Sequence, residues 1–457
     1  MSPLELLQKL GRLPLLLVAV AACVTTVADD EPLVGTNPGG DPSTTTTSMT
    51  VGGTTGTDST ATSPGSDACP SPEEAAQGPS VTAETILDTE GVTVRAAVYP
   101  HPEYEGNPWS QWGRGVLTHD GRFLSAIGDH RGKDGNSYFY EFDPDSSQLT
   151  LVGDVMSVVE HREGDWGYGK IHGALVRDDC FVYAATYWGS RRGLEYQGTY
   201  HGDHLLRWDP SDHEFESLGV PVERQGIPSL KGFDQGNLVY GEALQPDDQG
   251  ATFFVYDVTA GRVSFTGTDR AHVGFRDVMV GEDGAAYFSA GEGELMVHRP
   301  GADGVETHPY QLPGDWLRAS TEPAPDGTVF GVTREPDRFF AMVPSGEMLD
   351  LGPAGGYVAS LALDAERERL YYVPHAHGGA WKEGAPVFAV DTRTGDRRVV
   401  VELEGAVEEH LGLRLGGSYN TVYDPHSRRL YVGMNAGRLA EEGESFGEVV
   451  LLVIELP

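Results

Sequence analysis

Residues 169–210 concentrate side chains that can move protons and hold charge. His172 sits between Ile171 and Gly173 at the mouth of an apolar run, and Tyr187 and Trp188 follow a second run. Tyr200, His201, Asp203 and His204 then lead into a third. An imidazole at the head of an apolar strand is costly to bury unless it is satisfied or functional, and its titration near neutrality suits proton transfer. A phenol close to a cation suits either proton role. Elsewhere, Arg114, Arg276 and Arg318 open apolar runs, Lys231 less clearly so, and Lys170 precedes His172. Tyr357 and the pair Tyr419-Asn420 open others, and His130 lies in a polar loop. Bases, phenols, cations and stacking rings together point to an anionic ligand, with sugar rings lying against the Trp and Tyr faces. His201, Asp203 and His204 form a weaker alternative, a metal site, because His-x-x-His spacing is common by chance.

The elements carrying these residues are strands. Runs of four to six apolar, β-branched and aromatic residues end at Asp, Gly or Pro turns, and no stretch after residue 90 keeps a helical period. The pattern recurs at intervals of roughly 40–65 residues. Its marker is a tight turn between two apolar runs: Asp120-Gly121, Asp178-Asp179, Gln235-Gly236, Asp283-Gly284, Asp326-Gly327, Ala365-Glu366 and His426-Ser427. Seven such turns predict an all-β, seven-bladed β-propeller with four-stranded blades. The last unit has only three runs before the chain stops, and residues 92–99 form an unattached run ahead of the first. That N-terminal strand is expected to close the ring. The tight turns then open on one face and the long loops at 129–137, 187–203, 374–385 and 435–447 on the other, where binding residues concentrate.

Composition sets the address. Residues 1–22 carry Lys9, Arg12 and the apolar segment 13–22, the layout of a signal peptide too short to stay in a bilayer. Val20-Ala21-Ala22-Cys23 resembles a bacterial lipoprotein box, which implies cleavage before Cys23 and lipidation of its thiol; an ordinary signal peptide cut nearby is the alternative. Residues 23–85 read as a Thr-, Ser- and Gly-rich disordered tether, and 86–457 as the propeller. The chain is then an exported lipoprotein of the outer membrane or cell surface, touching the membrane only through its lipid. Cys180 either pairs with Cys69, which an exported compartment permits, or is a buried thiol. A formal net charge of −37 argues against nucleic acid and makes clustered cations conspicuous.

Lys170-Ile171-His172, with Tyr183-Ala184-Ala185-Thr186-Tyr187-Trp188-Gly189 and Gly202-Asp203-His204-Leu205, resembles exported seven-bladed propellers related to polysaccharide lyases of the ulvan-lyase type. The resemblance covers residues 92–457 in architecture and this one blade in motif. It implies β-elimination on a uronic-acid-containing polysaccharide, with no cofactor beyond a structural divalent metal in some members, and a monomer. Carried over, His172 matches the inner-strand histidine, Tyr187 or Tyr200 its partner, and Arg276 or Arg318 the carboxylate neutraliser. His130 and His204 compete for a second histidine, and His130 is taken into the catalytic set. Lys170, Arg114, Trp188, Tyr200, Arg318, Tyr357 and Asn420 are the expected substrate-binding residues. The competing reading is a non-catalytic propeller that binds a glycan or a protein, and a purely structural surface protein ranks third. No nucleophile elbow or phosphate loop is present; a carboxylate-pair glycosidase stays open among so many acidic residues.

Overall fold

Short apolar runs fold here as antiparallel strands, because β-branched and aromatic residues suit a pleated surface and the Asp and Gly turns reverse the chain every few residues. The computed structural model describes Cys69 and residues 76–457, apart from 90, 107, 162–164, 179, 188–198, 245–250, 268–276 and 440–444. Cys23, Trp188 and Arg276 therefore lie outside the described residues, as does the whole segment 1–68.

Three strands precede the first complete blade: β1 (Ser80–Thr82), β2 (Glu84–Thr89) and β3 (Val92–Val98). Blade 1 runs β4 (Val116–Leu117), β5 (Phe123–Gly128), β6 (Ser137–Asp143) and β7 (Gln148–Asp154) from the inside outwards. Blade 2 repeats this with β8 (Val176–Arg177), β9 (Val182–Ala185), β10 (Leu205–Asp209) and β11 (Glu214–Ser217). Blades 3 to 7 follow at residues 226–267, 279–307, 316–353, 362–402 and 413–455. The described residues form seven antiparallel sheets, the seven-bladed propeller expected from the turns.

The ring closes as the unattached N-terminal run required. β3 pairs with Glu448–Glu455, with Val94 opposite Ile454 and Ala96 opposite Leu452, and supplies the fourth strand of blade 7. Two departures come from the segment before it. β2 adds a fifth strand outside β3, and β1 adds a fifth strand to blade 1 by pairing with β7, so two blades have five strands. Among the described residues, strand pairing is present from Ser80, within the stretch 23–85 that composition reads as a tether. Of the two alternatives the sequence leaves open for Cys180, the structure shows the pairing: Cys69 and Cys180 form a disulfide.

The core lies between blades, where each sheet buries its face against the next. Phe253 of blade 3 stacks on Phe288 of blade 4 with centroids 4.4 Å apart, and Phe123 of blade 1 stacks on Tyr431 of blade 7 at 4.8 Å across the closing seam. Blades approach more tightly near the channel. A Cβ at Gly113 would stand 2.3 Å from the Gly173 carbonyl oxygen of the next blade, a backbone atom that cannot swing aside. Gly113→Ala is therefore expected to cost about 1–3 kcal/mol by overpacking, read as a lowered thermal midpoint; an unchanged midpoint would show that the blades can separate there.

Candidate active site in the funnel

Blades 1 and 2 enter the channel in the same way. Ser110 bridges Gly128 and Lys170 bridges Tyr187, and two residues further on come Trp112 and His172. The two side chains thus occupy equivalent steps on adjacent blades, and Leu175 N–H donates to the Arg114 carbonyl at 2.8 Å to hold the blades in register. Trp112, Arg114, His172, Asp277, Arg318 and Tyr419 line a narrow space of about 30 Å³, walled otherwise by Ala and Ser residues.

His172 is 5 % exposed, and its Nδ1–H donates to the Pro228 carbonyl at 2.9 Å. A carbonyl only accepts, so this bond places a hydrogen on Nδ1, and whenever the ring is neutral its lone pair is on Nε2. The Tyr187 ring lies 5.0 Å from the imidazole, and Tyr187 N–H donates to the Lys170 carbonyl at 2.8 Å, which positions both at the end of β9.

Trp112 is the hub of this wall. It packs against Tyr419 at 4.8 Å, His377 at 5.4 Å, Phe446 at 5.5 Å and the half-buried His130 at 5.7 Å. Lys170 sits behind the wall with no exposed surface, its Nζ 4.1 Å from the Trp112 centroid and 5.3 Å from that of Tyr187. Its charge is held by ring faces. Expected among the substrate-binding residues, Lys170 stands behind the wall and does not line the space.

Arg318 lies on the other side of the space. Its Nε donates to the Tyr357 hydroxyl at 2.7 Å and its Nη1 to the Ala359 carbonyl at 3.2 Å, and the guanidinium stands 5.6 Å from the Tyr419 centroid. Arg334 covers the Tyr357 ring at 4.2 Å. Arg114 donates to the Ser320 carbonyl at 3.2 Å and to Glu322 at 3.4 Å, while the sealed Lys231 ammonium meets the same Glu322 carboxylate at 3.0 Å. Ser320 donates to Asp277 at 2.5 Å.

The two carboxyls beneath the funnel respond in opposite directions. Burial pushes Asp277 above its ordinary value, with Lys231, the Ser320 hydroxyl, Arg114 and Arg318 opposing it. Partial loss of solvation inside the channel would also raise Glu322, but Lys231 and Arg114 outweigh it and hold the carboxyl below its ordinary value. The Glu322 side chain is 63 % exposed, facing the larger cavity on the turn side, so its pairing is screened and stabilises modestly. A lowered folded pKa gives stability present above the unfolded value of about 4.3 and lost as pH falls through the folded value. Glu322→Gln is accordingly expected to flatten the acid limb of a stability-against-pH curve; an unchanged limb would contradict the pairing.

The turn-side cavity is the larger, at about 1040 Å³, but its chemistry does not suit an anion. Asp120, Asp178, Asp234, Glu282 and Asp424 ring it, and several are already engaged: Asp120 accepts from Arg122, Asp178 from Tyr183 and Asp424 from the His426 amide. Bases, phenols and cations gather at the opposite mouth, on the face of the long loops.

Other expected site residues separate. Tyr200 is buried in the cluster with Trp166, Tyr168 and Tyr187, where burial and Asp203 raise its hydroxyl well above the ordinary phenol value, so it backs Tyr187. Asn420 is fully buried; it accepts from Gly115 N–H at 2.9 Å and donates to Gln111 at 3.1 Å, tying blade 7 to blade 1. Expected in the binding set, it stands instead at the seam between these blades. The weak metal set diverges as well: His201 faces Asp165 at 3.6 Å, Asp203 accepts from Ile227 N–H at 2.9 Å, and His204 pairs with Ser217 at 2.8 Å. Burial lowers the His204 pKa. Among the described residues no three His, Cys, Asp or Glu side chains stand together as a metal site.

No protein family and no curated protein matches this sequence. Solved structures do. Virginiamycin B lyase from Staphylococcus aureus is similar at a TM-score of 0.52 and 8 % identity, over 79 % of this chain and 99 % of that one. Oligogalacturonate lyase from Vibrio parahaemolyticus has a TM-score of 0.50 and 12 % identity, over 84 % of this chain and 99 % of that one. An oligogalacturonate lyase in complex with manganese gives the same TM-score of 0.50, identity of 12 % and coverage of 84 % and 99 %. The likeness is one of fold.

Proposed function

We propose that the funnel binds a uronic-acid-containing polysaccharide and cleaves it by β-elimination. The observation that carries this reading is His172, held through Nδ1 by the Pro228 carbonyl, beside Tyr187 and in one space with Arg114 and Arg318. Nε2 would take the C5 proton, the electron pair would form the C4–C5 double bond, and the bond from C4 to the glycosidic oxygen would break. Tyr187 would protonate the departing oxygen, while Arg318 holds the carboxylate as charge develops. Arg318 takes the neutralising role within the described residues, Arg276 lying outside them. Two neighbours of the fold bear the name oligogalacturonate lyase, which supports a lyase reading without fixing the substrate. The N-terminal segment adds the expectations of export and of lipid attachment at Cys23.

The second reading is a non-catalytic glycan-binding propeller. The size of the space beside His172, about 30 Å³, favours it, since a sugar ring must lie across the mouth with only a carboxylate reaching in. Incubation of residues 69–457 with a panel of anionic polysaccharides separates the two. Growth of the ultraviolet absorbance of unsaturated uronates supports the lyase; retention on an anionic-glycan column without that absorbance supports the binding module.

A further inference from the structure

The segment ahead of the closing strand crosses three neighbouring blades. Reading backwards from β3, β2 forms the outer edge of blade 7 and β1 the outer edge of blade 1. Pro79 then accepts from Leu151 N–H at 2.9 Å, and Gly78 lies so close to Leu151 that a Cβ there would stand 1.8 Å from its carbonyl oxygen. Cys69 finally bonds to Cys180 in blade 2, in the turn between β8 and β9. The path spans the seam between blades 1 and 7, where strands from the two ends of the chain close the ring.

The geometry of this path matters under load. β1 is three residues long and β2 six, and both are edge strands held from one side only. An edge strand pulled from its end releases its hydrogen bonds one after another. Without the disulfide, a pull arriving from ahead of Cys69 would peel β1, then β2, and then β3, whose loss opens the ring. With it, the pull enters at Cys180 instead. Cys180 N–H donates to Asp178, which lines the turn-side cavity, whereas the far end of β9 leads to Tyr187 in the funnel. The seven steps of chain from Cys180 to Tyr187 span roughly 23 Å when extended. The attachment therefore enters on the face away from the funnel.

We propose that the Cys69–Cys180 bond makes residues 76–98 a clasp that passes force from the N-terminal segment into blade 2 and keeps it from the ring-closing strand. The proposal rests on pairing and connectivity and is independent of what the funnel binds.

Single-molecule pulling on the full-length chain, held at its two termini, tests it. Under reductant, an early low-force lengthening of roughly 100 Å, the extended length of residues 69–98 at about 3.4 Å each, is expected before the main rupture. In the oxidised chain that step is absent. Cys180→Ser should show the step without reductant, and the reductant arm decides the matter by itself should that variant fail to fold. The step in the oxidised chain, or its absence under reductant, would overturn the proposal.

Discussion

Alanine at position 172 is expected to lower elimination by about 10²–10⁴-fold, the usual contribution of a positioned base, while retention on an anionic-glycan column stays largely intact. The substitution removes the nitrogen that would accept the C5 proton and leaves Arg114 and Arg318 where they are. Arg318 is held by Tyr357 and Ala359, and Arg114 by Ser320 and Glu322, none of which depends on the imidazole. His172→Asn sharpens the test, because its amide nitrogen stands where Nδ1 stood and can still donate to the Pro228 carbonyl but is not basic. Progress curves and column retention measured together should give two variants that bind and do not turn over. Binding lost in step with turnover would make His172 part of the ligand's seat.

Trp112→Ala is expected to destabilise the propeller by about 3–5 kcal/mol, the range for truncating a buried Trp. Trp112 is 5 % exposed and packs against rings from several loops, so little nearby can collapse into its place. Its removal also takes one of two ring faces from the sealed Lys170 ammonium. A buried cation that loses its compensation is costly. Trp112→Phe keeps a ring face over Lys170 and should cost distinctly less. Denaturant unfolding of the two variants measures both, and equal losses would show that bulk, not the cation, sets the requirement.

The architecture was legible because its signals are local. Each Asp or Gly turn between apolar runs marks one blade, and the missing outer strand of the last unit matched the unattached run that became β3. β1 was not legible: Ser80-Val81-Thr82 lies at the end of a Thr-rich tract and pairs only because β7 offers it an edge. The disulfide depends on that same strap bringing Cys69 to blade 2, so spacing alone left pairing and a buried thiol equally open.

Within the site, His172 stood out by burial beside apolar neighbours, and Arg318 by its place at the head of a strand. Trp112 was missed, although aligning the inner-strand starts of blades 1 and 2 places it at the step of His172. Lys170 and Asn420 sat at the right steps with side chains committed inward, a distinction that depends on which partner each finds across a blade boundary. The contact of Ser320 with Asp277, and of Lys231 with Glu322, likewise joins residues far apart in sequence.

Mass spectrometry of the products formed from a defined anionic oligosaccharide tests the central claim most directly. Elimination conserves the mass of the substrate across its two fragments, so the fragment with the new non-reducing end should be lighter by one water than its hydrolytic counterpart. That fragment, formed by the wild-type chain and missing with His172→Ala, is the predicted result. Two fully hydrated fragments, or the same unsaturated fragment from the His172→Ala chain, would contradict the account.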